Sequence, residues 1–170
     1  MISRKRLGFN SKLLACLIYL GSTPIHLVHA QGFDNVNNNN NIQKENRMTA
    51  TGSFTVKLDP QQDKKTPAGR MLINKVYSGD IQGTGVGQMI SKRTENGNAV
   101  YYAIEEVQAS LAGKKGSFTL LHSGVMSAQG QQLSITVMPG SGEGEFAGIS
   151  GECIIEQKDG EHFYQFNYQL

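Results

Sequence analysis

The feature that most constrains this chain is an alternation of apolar and polar residues with a period of two, which runs from about Thr49 to the end. Successive side chains of a β-strand point to opposite faces, so this pattern is typical of strands with one buried face. Turn signals rich in Gly, Asn, Asp or Pro divide the region into segments. We therefore predict an all-β domain with eight strands, over residues 52–58, 70–77, 81–92, 99–111, 116–126, 131–138, 151–157 and 162–170.

The short connections between these segments favour antiparallel strands that follow one another in space as they do in sequence. Eight such strands either leave two edges exposed or close on themselves, and an up-and-down barrel removes both edges. Such a barrel has room inside for its own side chains or for one small ligand. Gly83, Gly85 and Gly87 alternate along the third segment, which allows another layer to approach closely. The prediction is a closed eight-stranded antiparallel meander barrel, with a two-sheet sandwich as the alternative.

The first thirty residues have the order of a secretory signal. Basic residues at 4–6 and 12 precede an apolar stretch at 13–20, and small or modest side chains precede Ala30. The apolar stretch has about eight residues, which is too short to span a bilayer of ~30 Å. We expect cleavage after Ala30 and a periplasmic or secreted protein. A short membrane anchor that is retained is the alternative.

The remaining chain is predicted to be an Asn-rich disordered linker over residues 31–48, followed by one domain over 49–170. Without the four basic residues of the leader, twelve basic and fourteen acidic residues remain, a net charge of −2. A domain of this charge without clustered Arg does not predict a nucleic-acid partner. Cys153 is left without a disulfide partner, and we expect it to be a small core residue.

Glu105 is the residue that points most directly to a site. It shares a predicted strand face with Tyr101, Ala103, Val107, Ala109 and Leu111, so we expect a carboxylate inside the barrel. His122 shares the inner face of the next strand with Phe118 and Leu120. A Glu beside a His in an apolar interior has the tuned pKa values of general acid–base catalysis. A purely structural hydrogen-bonded pair is the alternative.

Other residues on inner faces are candidates for lining a ligand pocket. Lys75 alternates with Met71, Ile73 and Tyr77, and if it is buried it needs a partner such as Glu105. The alternative places its ammonium in solvent at the barrel rim. The last strand carries an aromatic stripe that would line a pocket, or belong to the barrel core or to an oligomer contact. The predicted ligand-binding residues are Lys75, Tyr101, Phe118, His162, Tyr164 and Tyr168.

The segment at residues 139–145 has Gly at alternate positions but lacks the Lys and the following helix of a phosphate-binding loop. We expect it to be a mobile loop at the rim of the barrel or a lid over it. The domain has two His and one Cys without a metal-binding spacing, so we expect neither a metal nor another cofactor.

Several separated motifs also occur in a fixed order, at residues 69–75, 77–84, 101–105, 116–124, 139–145, 148–151, 159–164 and 168–170. Together they resemble a family of small bacterial proteins of unknown function whose members look like allene oxide cyclase in fold. The resemblance implies a closed eight-stranded barrel, lipocalin-like in outline. Proteins of that wider group handle small apolar molecules without a redox cofactor, commonly as oligomers. No cyclase catalytic motif matches this chain, and most relatives of this kind lack a leader and tether.

Three functions remain open at this point. The first is a binding module that holds a small apolar molecule, with no membrane span in the mature chain and with a homo-oligomer as a possible assembly. The second is a cofactor-free isomerase or cyclase in which Glu105 and His122 transfer protons. The third is a structural barrel whose interior is filled with side chains. A hollow interior would distinguish the first two from the third.

Overall fold

The computed structural model describes residues 47–63 and 65–170. The predicted signal peptide, its cleavage site after Ala30 and nearly all of the predicted linker lie outside these residues. The first strand begins at Met48, one residue before the predicted start of the domain. In the described part of the chain, no helix is long and apolar enough to cross a membrane.

The described chain forms nine β elements, of which eight are long. Each long strand coincides with a predicted segment, and its ends differ from the predicted ends by at most four residues, because the alternation of buried and exposed side chains continues to the turns. The elements are β1 Met48–Gln61, β2 Gly69–Gly79, β3 Ile81–Arg93, β4 Ala99–Leu111, β5 Lys114–Ser127, β6 Gly130–Val137, β7 Glu143–Gly144, β8 Ser150–Lys158 and β9 Glu161–Gln169.

Every long strand pairs in antiparallel fashion with its neighbours in sequence, and β9 pairs with β1 to complete the circle. The predicted closed eight-stranded meander barrel is therefore confirmed, and the sandwich is not the fold. Several of the turns that connect the long strands contain the glycines that the sequence provides as turn signals. Gly79, Gly97, Gly113 and Gly160 all have positive φ values at these turns, which glycine adopts without steric cost.

The barrel has a seam between β6 and β8. These strands share a single paired position, Thr136 with Glu152, whereas β3 and β4 are paired from Ile81 with Leu111 to Arg93 with Ala99. The seam arises because the chain leaves the ladder after Val137, at the end of β6, and returns to it only at Ser150, where β8 begins. The barrel wall is thus continuous in space but unevenly hydrogen-bonded around its circumference.

The segment between β6 and β8 is not the free rim loop that its glycines predict. Its two-residue strand β7 pairs with Gly116 and Ser117 of β5. The side chain of Phe146 is completely buried, and its ring packs edge-on against Phe118 at 5.7 Å between centroids. The buried ring of Phe146 holds the segment against the barrel despite the glycines around it, so the segment has the position of a lid and not of a free loop. This segment, residues 138–149, plugs one end of the barrel.

The interior is divided along the barrel axis. We call the end that holds the plug the closed end, and the opposite end, with the turns at residues 94–98, 128–129 and 159–160, the open end. Towards the closed end lies the larger apolar cluster, in which Phe118, Phe166 and Tyr168 stack successively at 5.4 and 5.2 Å. Towards the open end lies a smaller cluster formed by Met71, Ile73, Met89 and Ala103.

Candidate functional site

Glu105 lies inside the barrel on β4, with none of its surface exposed to solvent. The opposing strand β3 makes room for it, because the glycines there carry no side chains. A Cβ atom built on Gly85 would lie 2.1 Å from Glu105 Oε1, and one built on Gly87 would lie 3.1 Å from Glu105 Cα. The predicted role of these glycines in close approach is therefore seen directly at the carboxylate.

Lys75 and Tyr77 of β2 hold the two oxygens of this carboxylate. Lys75 Nζ donates to Glu105 Oε2 at 2.7 Å, and the Tyr77 hydroxyl donates to Glu105 Oε1 at 2.6 Å. Lys75 Nζ also lies 3.3 Å from the Tyr77 hydroxyl and 4.7 Å from the centre of the Phe54 ring. Lys75 is only 7% exposed, so the alternative with its ammonium at the rim is wrong and the expected pairing with Glu105 is present.

His122 completes the cluster from β5. Its Nε2 atom lies 3.1 Å from Glu105 Oε2, so the sequence prediction that these two residues meet is correct. The ring is not aligned for a hydrogen bond, however, and Nε2 is a buried polar atom without a hydrogen-bond partner. A buried polar atom of this kind is costly unless something satisfies it.

The cluster fixes the protonation states of its members. Burial alone would raise the pKa of Glu105, but the charge on Lys75 and the contact with His122 outweigh it and lower the pKa to about 2. Burial lowers the pKa of His122, an effect that Glu105 opposes and Lys75 reinforces. Burial and the neighbouring Glu105 raise the pKa of Tyr77 well above its usual value. At neutral pH Glu105 is therefore an anion, and His122 and Tyr77 are neutral.

A cavity of about 70 Å³ lies on the open-end side of this cluster. Its walls are almost entirely apolar, and the lining residues with polar side-chain atoms are Lys75, Tyr101 and His122. The inward-facing Leu58 and Tyr101 are only partly buried and Leu133 is 37% exposed, so the cavity reaches towards solvent at this end. The lining residues are Phe54, Val56, Leu58, Ile73, Lys75, Met89, Tyr101, His122, Leu133 and Ile155.

The structure distributes the predicted ligand-binding residues over both halves of the barrel. Lys75 and Tyr101 line the cavity, and burial raises the pKa of Tyr101 to about 12. His162 is half-buried nearby, with its ring stacked on Phe54 at 5.0 Å. The remaining three, Phe118, Tyr164 and Tyr168, are not brought to the cavity and belong to the cluster towards the closed end.

Tyr164 has a clear role in the wall of the barrel instead. Its hydroxyl accepts a hydrogen bond from the Ile81 amide at 2.8 Å and lies 3.3 Å from the Ser78 carbonyl oxygen. It thus ties β9 to the turn between β2 and β3. Cys153 is buried in β8 as expected, and burial raises the pKa of its thiol to about 12, which makes it an inert core residue.

Sequence reasoning missed Phe54, which provides the aromatic face beneath the Lys75 ammonium. It also did not assign Tyr77 to the site, although Tyr77 binds the carboxylate. Both residues alternate with other inward-facing positions on their strands, and that period-two signal places them inside. In the described residues, no three His, Cys, Asp or Glu side chains are grouped so that they could hold a metal ion.

The fold and the site together define a class: a closed all-β barrel with a buried ion pair beneath a small apolar cavity. The chain belongs to the family described as protein of unknown function DUF3224, whose model matches residues 50–168. A similar solved structure is that of a protein of unknown function from this family from Shewanella oneidensis MR-1. It is 38% identical, with a TM-score of 0.68, over 72% of this chain and 96% of the other. No curated protein matches the chain.

Proposed function

We propose that the barrel binds a small, mostly apolar molecule in the cavity at its open end. The observation that carries this proposal is the combination of apolar walls with His122 in the lining, whose Nε2 makes no aligned hydrogen bond although Glu105 Oε2 is 3.1 Å away. Pockets for small molecules are typically apolar with a few polar groups that fix the orientation of the ligand. A cavity of about 70 Å³ holds the end of a ligand, and the remainder would extend towards the mouth near Leu133.

The charges of the polar residues around the cavity favour a neutral ligand with one hydrogen-bond acceptor, such as a ketone or an aldehyde. The ammonium of Lys75 is already balanced by Glu105 at 2.7 Å, and burial keeps His122 neutral. A carboxylate ligand would add an uncompensated negative charge to an apolar site, which is costly. A carbonyl oxygen would accept a hydrogen bond from Lys75 or His122 without adding charge.

Acid–base catalysis by Glu105 and His122 has less support. A carboxyl group with a pKa of about 2 is a weak base at neutral pH, and the Glu105 carboxylate is already held by Lys75 and Tyr77. The filled-barrel alternative suits the half towards the closed end, where Phe146 and Phe118 pack together. It does not suit the half around the cavity. A closer relation to allene oxide cyclase remains an expectation from the sequence motifs.

The proposal is tested by native mass spectrometry of the protein purified gently from the cells that express it. We expect excess mass that is lost on denaturation, and binding of added 2-heptanone in preference to heptanoate and heptane. Leu133→Trp should block the mouth and abolish binding. Ile154→Trp, an exposed residue on the outer face of β8, is the matched control and should leave binding unchanged.

Two results would count against a ligand-binding barrel. One is the absence of binding for every probe; the other is binding that Leu133→Trp and Ile154→Trp affect equally. Preference for heptanoate over 2-heptanone would contradict the charge argument alone.

We also propose that the protein acts outside the cytoplasm, and the intact mass of the same preparation tests this. A mass that begins at Gln31 is expected, whereas retention of residues 1–30 would contradict cleavage after Ala30.

A further inference from the structure

The outer surface of the barrel has one markedly apolar side. Among the described residues, thirteen large hydrophobic side chains are exposed, and seven of them lie on the outer faces of the adjacent strands β3, β4 and β5. We call this surface the β4 face, because the most exposed member, Ile104 at 60%, lies on β4. The seven residues are Val86, Ile90, Val100, Tyr102, Ile104, Leu121 and Val125.

The register shows that the β4 face is continuous. Tyr102 lies opposite Ile90 on one side, Ile104 lies opposite Leu121 on the other, and Val100 lies opposite Val125. These pairs are neighbours on one surface because residues two apart along a strand share a face. The middle of this surface is a shallow concavity of about 690 Å³. A flat or concave apolar surface of this kind accepts the side chains of a partner.

The β4 face is as large as the largest apolar patches that monomers usually expose. From their exposed fractions, the seven residues together present on the order of 600 Å² to solvent. The largest apolar patch of a typical monomer covers about 300–600 Å². A stable interface buries about 800 Å² on each partner, so the β4 face and its polar rim are large enough for one.

Two outward-facing residues of opposite charge lie at the two ends of the β4 face. Glu106 lies at one end, on β4 opposite Val86. Lys92 lies at the other end, on β3 opposite Val100, where its ammonium donates to the Pro67 carbonyl oxygen at 2.6 Å. A second copy in the reversed direction would bring each acidic end to a basic end, whereas a copy in the same direction would bring like charges together.

We propose that the β4 face is the interface of a two-fold symmetric homodimer in which the two β4 strands run antiparallel. The axis lies between the two sheets, at right angles to the strands and at the level of Ala103. Tyr102 of each copy then packs near Ile104 of the other, and Lys92 of each copy approaches Glu106 of the other. The interface is self-complementary, as two-fold symmetry requires.

The first test is sedimentation velocity of the purified full chain across a wide range of concentration. We expect a dimer, and we expect Ile104→Lys to raise its dissociation constant at least about tenfold, because a charge is buried at the centre of the interface. Ile154→Lys is the matched control. Ile154 is 53% exposed on the outer face of β8, so this variant should leave the dimer unchanged. Circular dichroism verifies that both variants are folded.

The second test addresses the orientation of the copies. Glu106→Lys should weaken the dimer several-fold, since Lys92 of one copy then faces a second cation, and adding Lys92→Glu should restore it. Three results would overturn the proposal: a monomer at all concentrations, a dimer that Ile104→Lys does not weaken, or a charge exchange without recovery. Binding of the monomer to phosphatidylglycerol vesicles through this face would overturn it in favour of a membrane surface.

Discussion

The carboxylate of Glu105 accepts a hydrogen bond of 2.7 Å from the ammonium of Lys75 inside the barrel, and the two side chains are 0% and 6% exposed. Ion pairs so far from water are sensitive to the loss of either partner, because the remaining charge is buried without compensation. This pair connects β2 to β4 across the glycine-rich strand β3. The stability of the barrel and the properties of its cavity therefore depend on the same two residues.

Removal of the ammonium should destabilise the fold strongly. We expect Lys75→Met to lower the free energy of unfolding by about 3–5 kcal/mol, measured by urea denaturation. In the double variant with Glu105→Gln, part of this loss should be recovered because no unpaired charge remains. Lys57→Met is the control: its ammonium lies 3.3 Å from Asp59 but is 77% exposed, so the loss should be below about 1 kcal/mol. Equal losses for Lys75→Met and Lys57→Met would contradict a buried pair.

The stability of the barrel should decrease with acid in the range set by Glu105. Its pKa is lowered from 4.5 to about 2 on folding, so the unfolded chain binds a proton at a higher pH than the folded chain does. The contribution, on the order of 3 kcal/mol, is complete above pH ~4.5 and is lost as the pH falls towards 2. Urea denaturation at a series of pH values measures it. The variant Glu105→Gln should lack this part of the profile; an unchanged profile would refute the assignment.

His122 adds a second, earlier decrease with the same sign. Burial lowers its pKa in the folded protein, so the unfolded chain is protonated first as the pH falls below 6.5. Stability should therefore begin to fall just below pH 6.5, before Glu105 contributes. Nuclear magnetic resonance titration of the imidazole measures the lowered pKa directly. A folded-state pKa above 6.5 would mean that Glu105 outweighs burial at this position.

Gly85, which lies against the carboxylate of Glu105, should not accept a side chain. In Gly85→Ala the new methyl group would lie 2.1 Å from Glu105 Oε1, an oxygen that Tyr77 holds in place. We expect a loss of about 1–3 kcal/mol from overpacking, measured by thermal or urea unfolding. Gly69→Ala is the matched control, because its nearest neighbour would be 3.8 Å away. A tolerated Gly85→Ala would show that the carboxylate can move aside.

The plug at the closed end should contribute to stability without affecting the cavity. Phe146→Ala removes a completely buried ring and should cost about 3–5 kcal/mol. Phe163→Ala is the control, since Phe163 is 36% exposed and its loss should be much smaller. The binding of 2-heptanone at the open end should remain after Phe146→Ala. Loss of binding in this variant, with the fold intact, would contradict the division of the interior into two halves.

The sequence predicts the barrel and the central cluster for the same reason. Alternation along a strand determines which side chains point inwards, and a meander makes consecutive strands neighbours. Glu105 and His122 meet because both are inward-facing on adjacent strands, β4 and β5. The short connection between Leu111 and Lys114 adds the register that brings the two residues to the same level.

The level of a residue along the barrel axis is harder to predict. It depends on the register and stagger of the strands, which the alternation leaves undetermined. Tyr101 and Tyr168 are both inward-facing aromatics, yet one lines the cavity and the other packs towards the closed end. The plug was missed for a related reason: residues 138–149 have no regular period, and Phe146 is buried by tertiary packing alone.

The seam between β6 and β8 is the least extensively paired junction between two long strands of the barrel. Separation of these strands breaks one paired position, Thr136 with Glu152, whereas separation of β3 from β4 breaks an unbroken ladder from Ile81 to Arg93. Amide hydrogen exchange should accordingly be faster along β6 than along β4. Leu133 at the mouth and Ile155 in the cavity wall lie on these two strands. We therefore expect the barrel wall to open more readily between β6 and β8 than between β3 and β4, which would widen the cavity on that side.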